Sequence, residues 1–200
     1  MKLNKKSKIF LAGHNGMVGS AIYRKLINKG YTNIIVKSRK QLNLLDQSKT
    51  FKFLKKYRPS YVIIAAARVG GIMANMKFKS EFIYENLEIQ NNLIHGSYKA
   101  GVKNLLLLGS SCIYPKFSKQ PMKEEYLLTG VLEKSNDAYA IAKIAGIKMC
   151  EYYSKTYKLN FKSLMPPNLY GPNDNYNLNT SHFYPALMKK IHNAKMKQKK

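Results

Sequence analysis

The sequence predicts an α/β protein, a parallel sheet wound by helices on both faces, and three observations carry that expectation. Short apolar runs alternate strictly with stretches of helical periodicity along most of the chain. One of those runs, Tyr61–Ala66, is apolar almost throughout, as a strand covered on both faces must be. A glycine cluster, Gly13-His14-Asn15-Gly16-Met17-Val18-Gly19, separates the first run from the first helical stretch.

The elements follow in order. Lys8–Ala12 is too brief for a helix and stops at Gly13, so it reads as a strand. Gly16–Asn28 spaces Val18, Ile22, Leu26 and Ile27 along one helical face, and Gly30 supplies the stop. Asn33–Lys37 is the second strand. Ser48 is the expected cap of a helix through Phe51, Leu54 and Tyr57, closed by Pro59. After the strand Tyr61–Ala66 comes a long helix, about Ser80 to Ala100, ended by Gly101. Asn104–Gly109 is the fourth strand. A loop with Pro115 and Pro121 leads to a helix from about Ala138 to Tyr157, then a fifth strand around Phe161–Met165. The tail, Lys189 to Lys200, reads as a solvent-facing helix. Strand and helix in strict alternation favour parallel pairing with right-handed crossovers.

The 200 residues suit one domain, with room for a fragment of a second. No apolar run approaches the roughly 20 residues that span a bilayer, so no membrane partner is expected. The basic start, Met1 to Lys8, runs into a strand too short for a signal-peptide core, which predicts a cytoplasmic chain. Cys112 and Cys150 make no disulfide framework, in keeping with a reducing compartment. The net charge of +25 invites a nucleic-acid reading, but only Arg24, Arg39, Arg58 and Arg68 of the 35 basic residues are arginine. The lysines are scattered, and neither a zinc-finger spacing nor an RNA-binding aromatic motif occurs. No specific nucleic-acid partner and no metal are expected.

Gly13-x-x-Gly16-x-x-Gly19 between a strand and a helix is the arrangement of a Rossmann-type dinucleotide loop. Gly13 permits the tight turn, Gly16 lets backbone approach a pyrophosphate, and Gly19 allows helix to pack on strand. The helix N-terminus then faces the anion. At the end of the second strand stand Lys37-Ser38-Arg39-Lys40, with no carboxylate before Asp46. Arg39 therefore predicts NADP(H) rather than NAD, because a cation there accommodates the 2′-phosphate. Further on, Tyr139 and Lys143 lie four apart on one helix face, and Ser110 sits at the carboxyl end of the fourth strand. An ammonium beside a phenol is expected to draw its pKa down, making Tyr139 a general acid towards a carbonyl reduced by hydride. Ser110 would orient the reacting oxygen.

These elements resemble the extended short-chain dehydrogenase/reductase superfamily. Longer stretches resemble one member family, the GDP-L-fucose synthases: Ala12–Ile22, Leu42–Asp46, Ala65–Ile72, Leu108-Gly109-Ser110-Ser111-Cys112-Ile113-Tyr114-Pro115, Tyr139–Gly146 and Asn168–Pro172. The likeness covers almost the whole chain. It implies NADPH-dependent 3,5-epimerisation and 4-reduction of GDP-4-keto-6-deoxy-D-mannose, with a GDP-sugar as substrate. It further implies Cys112 and His182 as the proton-transfer pair of epimerisation, beside Ser110, Tyr139 and Lys143. Read without the resemblance, Cys112 is equally a small buried residue and His182 a loop residue.

The resemblance also implies that the loop Gly13–Gly19, Arg39, Leu108, Gly109, Ser110, Ser111, Lys143, Pro166, Asn168, Leu169 and His182 line the coenzyme. Lys190 would meet a substrate phosphate where the family commonly has arginine. A homodimer through the helices at about 80–100 and 138–157 follows from the same likeness. Two departures stand out. Pro167, which donates no backbone hydrogen bond, replaces a small polar residue, and family members run well past residue 200. Residues 1–180 are thus expected to be the NADP-binding domain with its catalytic groups, and 181–200 the start of a substrate region most of which is missing. The alternatives are an inactive NADP-binding remnant, another nucleotide-sugar epimerase or a dehydratase; Cys112-Ile113-Tyr114 offers no acidic pair of the kind a dehydratase would want.

Overall fold

The computed structural model describes residues 3–198; the outermost residues of the basic start and of the lysine tail, Met1, Lys2, Lys199 and Lys200, lie outside the described residues. Five parallel strands form one sheet in the order β2-β1-β3-β4-β5: β1 Ile9–Ala12, β2 Ile34–Ile35, β3 Tyr61–Ile64, β4 Asn104–Leu108 and β5 Asn160–Leu164. The helices are α1 Met17–Asn28, α2 Gln47–Tyr57, α3 Ile72–Lys77, α4 Lys79–Lys99, α5 Asp137–Tyr157 and α6 Phe183–Gln198. The predicted fold class is the one observed. Among the described residues no helix is long and apolar enough to cross a membrane.

β1 is an interior strand and fully buried, pairing with β2 through Ile9–Ile34 and with β3 through Ile9–Tyr61. The core gathers Phe10, Leu54, Ile64, Leu93, Ile94, Leu107 and Phe161 from the sheet and from α2 and α4. Burying such side chains contributes about 1.5–3 kcal/mol each. The strand order reverses between β1 and β3, so the crevice at their carboxyl ends is the switch point where ligands of such sheets sit.

Several details differ from the sequence expectation. α2 is capped not by Ser48 but by Asp46, whose carboxylate accepts from the Lys49 amide at 2.9 Å. Ser48 falls inside the helix. An aspartate two residues earlier could reach the free amides first, and it won that competition. β2 is only two residues long. The segment after β3 holds an extra short helix, α3, which the sequence reading passed over because it lacks a capping side chain.

α4 carries polar residues inward. Gln90 is 1 % exposed and its amide donates to the Ala142 carbonyl of α5 at 2.8 Å. Asn86 grips the β3–α3 segment by accepting from the Arg68 N–H and donating to the Arg68 carbonyl, both at 3.0 Å.

Candidate functional site: the carboxyl edge of β1 and β4

The glycine loop is built as its spacing requires. Gly13 has φ +90°, and a Cβ there would stand 2.5 Å from the Ala66 nitrogen, so the loop presses on the end of β3. A Cβ on Gly19 would stand 2.0 Å from the Gly13 carbonyl oxygen. Gly16 begins α1 without any side-chain cap, which leaves the first amides of the helix for an anion. Asn15 is exposed at the loop's rim, and Met17 and Val18 open the helix half-buried. His14 has a buried Nδ1 with no hydrogen-bond partner in the chain. An uncapped helix end, an orphaned imidazole nitrogen and a loop with glycine at its three tightest points fit a dinucleotide pyrophosphate.

At the other flank of β1, Arg39 reaches outward, its side chain 73 % exposed, and one guanidinium nitrogen lies 3.9 Å from Glu85. Asp46, the first carboxylate after β2, is committed to α2: it takes the Lys49 amide and pairs with the Lys49 ammonium at 3.1 Å. Those contacts hold its carboxyl below the usual range. It is therefore engaged elsewhere than at a ribose hydroxyl.

The second cluster lies where β4 ends. Ser110 leaves the strand extended, and its Oγ receives the Cys112 amide at 3.4 Å in a single turn of 3₁₀ helix over Ser111–Ile113. Gly109 donates its N–H to the Leu164 carbonyl at 2.8 Å, fixing the strand end, and Ser111 stands half-buried beside it. The Tyr139 phenol faces the Ser110 side chain, which draws its pKa down. The Cys112 thiol also faces the Ser110 side chain, which draws its pKa down. Lys143 is 2 % exposed, and its ammonium donates to the Leu108 carbonyl at 2.9 Å. Tyr139 is flanked by Phe82 of α4, ring centroids 6.3 Å apart and edge-on.

The electrostatics correct one expectation. Burial, then the nearby Cys112, push the Tyr139 phenol well above its ordinary value, and the Ser110 hydrogen bond only partly offsets them. Lys143 does not lower it as the spacing suggested. Its nitrogen is drawn to Leu108 and lies 5.7 Å from the phenol ring centre. Desolvation pulls Lys143 itself down to about 8. Burial also raises the Cys112 thiol, against the pull of Ser110 and Lys143. Burial keeps the phenol protonated but makes it a weaker acid, one that yields its proton only to a stronger base such as an alkoxide.

The remaining expected residues lie on the exposed stretch after β5. Pro166 is half-buried, and Pro167, Asn168 and Leu169 are exposed. His182 is exposed just before α6, two residues after Thr180, whose carbonyl accepts from the Gly71 amide at 2.9 Å. Lys190 is exposed on α6. Ser110, Cys112, Tyr139 and Lys143 thus gather at the end of β4, whereas His182 and Lys190 lie on the exposed stretch after β5. The sequence reading missed Phe82, Glu85 and Gln90; the buried face of α4 at residues 82, 86, 90 and 93 was the available signal.

A glycine loop at one strand end and a serine–tyrosine–lysine group at another mark an α/β fold of the dinucleotide-binding class. The chain belongs to the NAD dependent epimerase/dehydratase family, whose pattern it matches over residues 9–200. It is 55% identical to the GDP-L-fucose synthase of Sinorhizobium fredii, over 95% of this chain and 60% of that protein. Identity to the GDP-L-fucose synthase of Escherichia coli is 50%, over 94% of this chain and 59% of the relative. Among solved structures, a GDP-D-glycero-L-gluco-heptose synthase from Campylobacter jejuni, determined with NADPH, superposes with a TM-score of 0.91 at 42% identity, over 96% of this chain and 56% of that one. The chain spans about 60% of the length of the curated relatives it matches.

Proposed function

We propose that this chain binds NADPH and carries the catalytic groups for 3,5-epimerisation and 4-reduction of GDP-4-keto-6-deoxy-D-mannose to GDP-L-fucose. The observation that carries the proposal is the convergence of Ser110, Cys112, Tyr139 and Lys143 at the carboxyl end of β4. Supporting it are the relatives named for that reaction and the NADPH in the Campylobacter jejuni neighbour.

The coenzyme would lie with its pyrophosphate on Gly13–Gly19, its 2′-phosphate at Arg39 and its nicotinamide by Leu108–Ser111, Lys143 and 166–169. When bound, it supplies the hydride that reduces the C4 ketone. Tyr139, kept protonated by burial, gives its proton to the C4 oxygen as that oxygen becomes a hydroxyl. Ser110 holds both the phenol and the reacting oxygen in line. Lys143 anchors the strand end and offers its remaining donors to the ribose. Before reduction, the ketone acidifies the C–H bonds at C3 and C5. Cys112 and His182 take a proton from one face and return one from the other, which inverts each centre. His182 would have to swing in from its exposed position, and Lys190 would meet a substrate phosphate. Residues 1–180 form the coenzyme domain and 181–200 enter the substrate region. α4 and α5 pair in a homodimer, in the cytoplasm, where free Cys112 and Cys150 stay reduced.

The test is Tyr139→Phe. C4 reduction should fall by about 10²–10⁴-fold with NADPH affinity unchanged; retained reduction refutes the assignment. In the same assay Cys112→Ser should slow solvent-deuterium uptake at the sugar far more than hydride transfer. A second reading, reduction of another GDP-keto-sugar, is favoured by the heptose synthase neighbour. Turnover with a keto-heptose but not the keto-deoxymannose would select it. NADPH binding without turnover of either would leave the coenzyme domain standing and remove the catalytic proposal.

A further inference from the structure

We propose that Glu85 competes with the coenzyme's 2′-phosphate for Arg39 and so restrains this chain's preference for NADPH over NADH. The inference rests on the coenzyme reading above and refines it. Glu85 lies on α4 with its side chain 17 % exposed, and its two oxygens are divided between two arginines. Oε1 contacts the Arg68 guanidinium directly, and Oε2 lies 3.9 Å from that of Arg39.

The two partners are held very differently. Arg68 is held at several points: its peptide is gripped by the Asn86 amide, and its guanidinium lies over the rings of Phe78 and Phe82 at 5.7 and 5.5 Å. That fixed cation fixes Glu85 in turn. Arg39 has 73 % of its side chain in solvent and reaches the carboxylate at the edge of ion-pair distance. Glu85 thus stands as a rigid anion behind a mobile cation, on the flank of β1 where the adenosine end would lie.

A 2′-phosphate arriving at Arg39 meets that carboxylate. It must draw the guanidinium off Oε2, and it feels the repulsion of a fixed negative charge a few ångströms further back. A coenzyme with a 2′-hydroxyl feels neither. Because Arg68 already neutralises part of the Glu85 charge and the Arg39 contact is loose, the restraint is modest and sensitive to salt.

The experiment is a titration of the 200-residue chain with NADPH and with NADH, for wild type, Glu85→Gln, Glu85→Asp and Arg39→Ala. Glu85→Gln should tighten NADPH by about three- to tenfold at low ionic strength while NADH changes by less than about twofold. The gain should shrink in high salt. Glu85→Asp keeps a charge for Arg68 but withdraws it from Arg39. It should shift the ratio the same way by a smaller factor, and it carries the test if the glutamine variant fails to fold. An unchanged or lowered NADPH/NADH ratio in the folded variants overturns the inference. So does an Arg39→Ala variant that discriminates as well as wild type, since Arg39 would then not be the contested group. Wild-type protein that binds neither coenzyme would instead bring down the coenzyme reading itself.

Discussion

Gly19 and Gly71 make the same demand in two different settings. A Cβ on Gly19 would stand 2.0 Å from the Gly13 carbonyl, and one on Gly71 would stand 2.1 Å from the Ser181 carbonyl. Both contacts are backbone against backbone, and neither can be relieved by turning a side chain. Behind the first stand β1 and β3, buried and paired residue by residue. Behind the second stands a stretch in which most residues from Pro167 to Gln198 are exposed. The cost of an intrusion depends on what must move, so equal clashes have unequal consequences. Groups on the first kind of support are held on several sides; those on the second rest on a stretch that is mostly exposed.

The comparison can be broken in three ways. The largest effect is expected for Gly19→Ala, which should cost about 3 kcal/mol or more of stability in urea melts and abolish NADPH binding. A stable, binding variant would mean that the loop can yield. Next comes Lys143, which the firm side holds buried. Its ammonium titrates near 8 in the folded chain, below its ordinary 10.5. Below pH 8 it is charged in both states, and folding carries the desolvation cost. Between 8 and 10.5 the unfolded chain binds more protons, so stability rises with pH by about 3 kcal/mol from this group. Lys143→Met should therefore gain most over wild type at neutral pH, and the gain should close towards pH 10.5. A pH-independent difference would contradict that burial. The smallest effect is expected for Gly71→Ala: under about 1 kcal/mol in global stability, with faster proteolysis confined to residues 178–184. Global unfolding would show that the stretch after β5 is as well supported as the loop.

Much of this was legible in the sequence, for identifiable reasons. The parallel sheet follows from alternation, and the loop from three glycines whose spacing encodes steric necessity. Tyr139 and Lys143 share a face because four residues make a helical turn. The missing parts are tertiary. Nothing local says that the Lys143 ammonium would choose the Leu108 carbonyl over the phenol, so the expected sign of the Tyr139 shift was wrong. Asp46 and Ser48 are both good caps, and only the chain's path into α2 decides between them. Glu85 looked like one more charge on a helix until folding set it between Arg39 and Arg68. His182 came only from the family likeness, and its exposed position shows why its surroundings could not have announced it.

The buried Gln90 amide has a bearing on how the chain assembles. Its partner, the Ala142 carbonyl, arrives 52 residues later, so α4 must keep a wet, hydrogen-bonding notch until α5 docks. An apolar seam would let the two rods slide past each other by a turn with little change in energy. A single amide–carbonyl contact favours one axial setting, because any other strands the Gln90 amide in a dry interface. That setting is what brings the phenol on α5 level with the end of β4.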